Sequence, residues 1–158
     1  MNKKDLMGLL QYFDKVQKVT HKAMKMIPED KLDFKPVPEM MSIRELLKHI
    51  YVSERVFANG AKKGSITEED FKKEDKREFK DLKSLLNYAK KVHKETKVVA
   101  KSISEKELKR KVKVFWGEEL CPSICFGILY DEHWHHRGQL YVYLRLLGIK
   151  PPDLYGYK

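Results

Sequence analysis

The sequence predicts an all-α fold, a four-helix bundle with a small β-hairpin before its last helix. Three observations carry that expectation. Four long segments repeat apolar residues at helical spacing, the breaks between them hold proline, glycine or capping residues, and one short stretch alternates polar with apolar residues.

Leu6, Leu9, Leu10, Phe13, Val16 and Val19 recur at helical spacing and predict a first helix over residues 3–26, closed by Pro28. Residues 29–41 contain Pro36 and Pro38 and read as extended chain. Ser42-Ile43-Arg44-Glu45 has the form of a capping box and opens a second helix, expected to stop at Asn59-Gly60. A third helix begins after Thr67-Glu68-Glu69-Asp70 and is amphipathic from Leu82 to Ile103, its early part being irregular or a separate short turn. Lys111 to Gly117 alternates and meets a glycine, which predicts the hairpin. The fourth helix starts at Pro122, a favoured first-turn position, and runs to Leu147 before Gly148, Pro151 and Pro152.

The 158 residues suit one domain over 1–158, with 42% hydrophobic residues for a core and 35% charged residues for its surface. No apolar run approaches the roughly 20 residues that cross a bilayer, and no secretory pattern follows the basic start, so a cytoplasmic protein is expected. Cys121 and Cys125 form neither a disulfide framework nor a redox pair and read as small reduced residues. The formal charge is +10, but the lysines are scattered among acids, as in Phe71-Lys72-Lys73-Glu74-Asp75-Lys76-Arg77-Glu78. That pattern reads as a self-paired helix surface, so a small-molecule substrate is expected rather than a nucleic acid or a membrane.

Chemistry concentrates in Tyr130-Asp131-Glu132-His133-Trp134-His135-His136-Arg137-Gly138-Gln139. At about 100° per residue, Cys125, Leu129, Glu132, His136, Gln139, Tyr143 and Leu147 fall within about 60° of one line. A carboxylate, an imidazole and an amide are therefore expected in the middle of the apolar face. His133 points to one side, Trp134, Arg137 and Tyr141 point roughly opposite, and His135 at the edge is the rival of His136. An ionised Glu132 buried there needs a proton, a salt bridge or a cation, because an isolated buried charge is costly. Glu132 and His136 are one turn apart and can share a ligand. His49, at the edge of the stripe of Ile43, Leu46, Leu47 and Ile50, is the candidate third ligand. Glu54 also turns toward the core, either as an acceptor for a ligand histidine or as a partner of Arg137 or Arg145. The metal-free alternative is a buried Glu132–His136 pair, joined by Arg145 or Glu54. Trp134 and Tyr141 read as packing residues or a dimer seam.

His136-Arg137-Gly138-Gln139-Leu140, followed by Tyr143-Leu144-Arg145 and Gly148-Ile149-Lys150-Pro151-Pro152, resembles the closing helix of the DinB family, and the likeness extends to Tyr155-Gly156. A histidine midway along the second helix, as at His49, is also similar to that family. The resemblance implies an up-down-down-up four-helix bundle, often homodimeric, that binds nickel, zinc or another divalent ion through three histidines. Those positions fall on His49, position 132 and His136. Glu132 stands where histidine is frequent. His₂Glu is still an open catalytic set for zinc, and the harder oxygen ligand shifts preference toward manganese or iron.

What the resemblance implies for function is a metal-dependent transferase that activates a low-molecular-weight thiol for conjugation to small electrophiles. Gln139 and Tyr143 would line its pocket, and the positive surface would favour an anionic thiol. The alternatives are a non-catalytic stress-response or binding protein that keeps the fold, and a metal-dependent hydrolase with Glu54 as general base.

Overall fold

The computed structural model describes residues 1–156. Four long helices build the bundle: α1 (Lys3–Met24), α2 (Ile43–Lys63), α4 (Leu82–Ser102) and α5 (Pro122–Leu146). A short helix, α3 (Glu68–Asp75), precedes α4, and three short strands lie at one end: β1 (Ser65–Ile66), β2 (Val112–Val114) and β3 (Glu119–Leu120). The fold class is the one the sequence predicts, with one more helix and one more strand.

Local chemistry sets most helix starts. Asn2 with Asp5, Ser42 with Glu45, Thr67 with Asp70 and Asp81 with Ser84 form reciprocal caps, each satisfying backbone N–H groups that the first turn leaves unpaired. The Thr67 cap and the Asp81 cap explain why the third segment divides: each starts its own helix. α5 lacks a side-chain cap and begins instead on Pro122, whose missing N–H costs nothing there.

α2 does not stop at Asn59-Gly60. It continues to Lys63 and ends on Gly64, whose φ of 92° is the left-handed conformation that glycine adopts cheaply. Gly60 has another role. A Cβ at this position would lie 2.2 Å from Ile66 Cγ1, so the glycine lets β1 fold back onto the helix that precedes it. β1 then pairs in parallel with β2, Ser65 opposite Lys113, while β2 and β3 form the expected hairpin, Val112 opposite Leu120. The two-residue β1 carried no periodicity to reveal it.

α2 packs against both α4 and α5, and α1 closes the bundle against the same two helices. The core has two apolar clusters. One contains Leu6, Leu10, Phe13, Val56, Phe126 and Leu129; the other contains Met24, Leu46, Leu47, Tyr51, Val92 and Leu144. Buried polar residues Gln17, Thr20, Glu54, His93, Thr96 and His133 belong to neither apolar cluster and come from all four long helices. Among the described residues, no helix is long and apolar enough to cross a membrane.

Candidate metal centre

α2 and α5 bring three side chains together. His49 Nε2 lies 3.4 Å and His136 Nε2 lies 3.3 Å from the same oxygen of Glu132, Oε2. The donor atoms of the three residues all fall within 4.8 Å of one another, and the two imidazole rings meet edge to face at 4.5 Å. Glu132 and His136 share a face because they are one turn apart on α5; His49 faces them from the middle of α2. The cluster sits at the rim of the bundle: the side chains of His49 and Glu132 are 39% and 37% exposed, that of His136 only 9%.

The donor set fits a divalent cation. Two ligand atoms about 2.0–2.1 Å from a tetrahedral metal stand about 3.3 Å apart, the spacing both histidines keep from Glu132. Gln139 fixes the ring that matters most. His136 Nδ1 lies 2.7 Å from Gln139 Oε1, an acceptor that favours the tautomer with its proton on Nδ1 and the lone pair of Nε2 toward Glu132. Two acceptor atoms facing each other repel unless a proton or a cation lies between them. Burial first, and the neighbouring His136 second, lower the pKa of His49 against the pull of Glu132. The neutral ring is the form a metal binds.

Several expectations need correction. α5 is turned by roughly 80° from the axis read off its sequence, at about 100° per residue. His133, expected to one side, is fully buried, and so is Arg137, expected on the opposite face. Apolar residues surround much of α5, so its periodicity is weak and packing against α1 and α2 decides its orientation. Glu132 and Gln139 therefore flank the core instead of centring it. His135 is exposed and stays outside the three-residue cluster.

Glu54 does not join the cluster, and it pairs with neither Arg137 nor Arg145. It has no exposed surface, accepts from Gln17 Nε2 at 2.7 Å and faces His93 Nδ1 at 3.1 Å. A buried carboxylate held in this way is badly placed to act as a general base on a substrate at the rim. Tyr143, expected to line the pocket, is buried and donates its hydroxyl to Met41 O at 2.9 Å, tying α5 to the chain before α2. Burial, and secondarily the charge of Glu45, raise its pKa. Trp134 and Tyr141 cover Arg137, whose guanidinium lies 3.9 Å above the indole ring and 5.9 Å from the phenol ring.

A second polar group surrounds Glu54, the one of its acids that the sequence turned toward the core. His93 Nε2 lies 2.6 Å from Asp14 Oδ1 and its Nδ1 lies 3.1 Å from Glu54 Oε1, and two carboxylates facing one ring favour the imidazolium, which raises the pKa of His93 against the cost of its burial. Lys97 also donates to Asp14 Oδ1, at 2.8 Å. Gln17 links the system onward, since Tyr51 donates to its Oε1 at 3.1 Å and its Nε2 lies 3.4 Å from His133 Nδ1. His133 Nε2 meets Thr20 Oγ1 at 2.7 Å, and that hydroxyl donates to Val16 O. The signal was present: Gln17 and Thr20 sit in the apolar line of Leu6, Leu10, Phe13 and Met24, and His93 lies between Val92 and Thr96.

The fold and its three-donor cluster define a helical-bundle protein with a candidate divalent-cation site. The DinB family profile matches residues 1–158, and the chain belongs to that family. The uncharacterized protein YjoA of Bacillus subtilis (strain 168) is 28% identical over 142 residues, covering 89% of each chain. Its solved structure, a DinB-like protein, superposes with a TM-score of 0.77 at 26% identity, over 93% of this chain and 96% of that one. A DinB-like protein of Bacillus cereus ATCC 10987 gives a TM-score of 0.77 at 22% identity, over 93% and 95% of the two chains. A DinB-family protein of Exiguobacterium sibiricum gives 0.76 at 19%, over 94% and 96%. The last two likenesses concern the fold alone.

Proposed function

We propose that this protein is a divalent-metal-dependent transferase that conjugates a low-molecular-weight thiol to a small electrophile. The observation that supports the reading best is the convergence of His49 Nε2 and His136 Nε2 on one oxygen of Glu132, at 3.4 and 3.3 Å. Three donors would leave a coordination position free on a bound cation, and the exposed side of His49 and Glu132 gives a small molecule access to it.

A bound divalent cation would lower the pKa of a thiol in that position, supplying a thiolate at neutral pH. The residues of the chain do the rest. His49, Glu132 and His136 would hold the cation. Gln139 keeps His136 in the tautomer that offers Nε2, and the buried ring of His136 anchors the site to the bundle. In the reaction the thiol gives its proton to solvent water at the open rim, a carbon–sulfur bond forms, and the electrophile releases its leaving group with the bonding pair. The formal charge of +10 favours an anionic thiol.

The reading is tested by loading the protein with zinc, nickel, manganese or iron and following thiol consumption with several electrophiles. Metal-dependent turnover that disappears in Glu132→Ala supports it. Metal-loaded protein that accelerates no thiol–electrophile pair removes it and leaves a binding protein.

A further inference from the structure

A cavity of about 490 Å³ opens between α2 and α4, and none of its lining residues belongs to the His49–Glu132–His136 cluster. Its size lies in the range of about 300–1,000 Å³ typical of small-molecule sites. Arg55 and Asn59 come from α2; Lys91, Lys94, Val98 and Val99 come from α4. Glu95 is the single acid against three cations in this lining. Val98, at 61% exposure, and Val99 give the cavity an apolar wall. A smaller cavity of about 120 Å³ shares Arg55 and Asn59 and adds Lys63 and Lys73, so cations stand on both sides of Arg55.

Arg55 is the informative residue. Its guanidinium reaches Glu74 at 3.6 Å and Glu95 at 3.4 Å, both longer than the roughly 2.7–2.9 Å of a charge-assisted hydrogen bond. Its Nη1 is buried without a hydrogen-bond partner. Glu74 is already engaged more closely, by Arg77 at 2.6 Å and by Tyr88 at 3.1 Å. The acids of the smaller cavity are likewise taken, since Lys63 holds Asp70 at 3.0 Å. Arg55 therefore sits in the wall of the cavity with only long ion pairs to its two acids, and the lining holds three cations against one carboxylate. A planar guanidinium in that state suits a carboxylate or a phosphate.

We propose that this cavity binds a small amphipathic organic anion, its carboxylate or phosphate head at Arg55 and Lys94 and its aliphatic part along Val98 and Val99. A volume of about 490 Å³ suits one short chain. The combination of three cations with an apolar wall selects against both neutral alkyl compounds and fully polar anions. The site is independent of the proposed transferase reaction.

The test is a titration of ¹⁵N-labelled protein with octyl phosphate, octanoate and, as a neutral control, octanol, each below its aggregation limit. Saturable shifts are expected at residues 91–99 with at least one anion and not with octanol; the stronger anion identifies the head group. Lys94→Glu and Val98→Asp change exposed side chains and should fold normally, and each should weaken binding about tenfold or more. Arg55→Gln should do the same. Absence of binding by both anions, equal binding of octanol, or unchanged affinity in Lys94→Glu and Val98→Asp would overturn the proposal.

Discussion

His93 Nδ1 stands 3.1 Å from Glu54 Oε1, and this contact neutralises a carboxylate that has no exposed surface in the bundle. A buried charge is tolerated when it is paired and hydrogen-bonded, and strongly destabilising when its partner is removed. Because the Gln17 amide serves the second oxygen, Glu54 is satisfied by side chains from α1 and α4 together. The pair thus joins three helices at one point.

Removal of the imidazole should expose that dependence. His93→Leu leaves Glu54 facing an apolar side chain and should cost about 3–5 kcal/mol in urea unfolding, with much of the loss recovered in the His93→Leu/Glu54→Leu double variant. A single variant within 1 kcal/mol of wild type would show that water replaces the imidazole (an outcome at about the usual net value of one hydrogen bond).

The same pair sets a pH dependence. Burial works against the charge of His93, but hydrogen bonds and charge from Glu54 and Asp14 outweigh it and raise the pKa. The groups around the ring are Asp14 on α1, Glu54 on α2, Lys97 on α4, and His21 and His133 farther off. A raised folded pKa means that the native state binds the proton more tightly than the unfolded chain. This contribution is therefore full below the unfolded value of about 6.5 and is lost as pH rises through the folded pKa. His21 acts in the opposite sense: burial first lowers its pKa to about 4, so stability falls as pH drops from about 6.5 toward that value. Unfolding free energy measured across pH should fall on both sides of the region near 6.5, and the alkaline fall should vanish in the His93→Leu/Glu54→Leu double variant, which leaves no unpaired carboxyl in the core. A flat alkaline limb in the wild type would contradict the imidazolium assignment.

Gly60→Ala tests the approach of β1 to α2. The new methyl would meet Ile66 Cγ1 at 2.2 Å and Ser65 O at 3.2 Å, so either the strand or the helix must move. Chemical denaturation should show a loss of about 1–3 kcal/mol, as for other overpacked sites. Gly8 has open space at the same construction, and Gly8→Ala should not destabilise.

Much of this was legible in the chain. Ser42 and Glu45 announced the start of α2, and Pro122 with Gly148 bracketed α5, because capping and proline effects act within a few residues. The relation of Glu132 to His136 was legible for the same reason: four residues make one helical turn. What could not be read was the rotation of α5, since Phe126, Leu140 and Leu144 compete with Cys125, Ile128 and Leu147 for the inward face. His133 and Arg137 were therefore misplaced. The partners of Glu54 were hidden for a different reason: Gln17 and His93 approach it from helices far apart in sequence, and only packing joins them.

The role of Gln139 follows from its bond to His136 and separates positioning from ligation. Gln139→Leu removes the acceptor of Nδ1–H without removing a donor atom from the cluster, and should weaken metal affinity by about 10–100-fold in competition with a chelating dye. His135→Ala removes only an exposed ring 3.3 Å from Gln139 Nε2, and should lower affinity much less than Gln139→Leu does. Equal losses in both variants would mean that the exposed histidine takes part.

The most direct test is the metal content of untagged protein, measured by elemental mass spectrometry beside Glu132→Ala and His136→Ala. Metal near one equivalent in the wild type, lost from both variants, is the predicted result. Wild-type protein that holds no metal, even after reloading with nickel, zinc, manganese and iron, would contradict the account and leave Glu132 and His136 as a hydrogen-bonded pair.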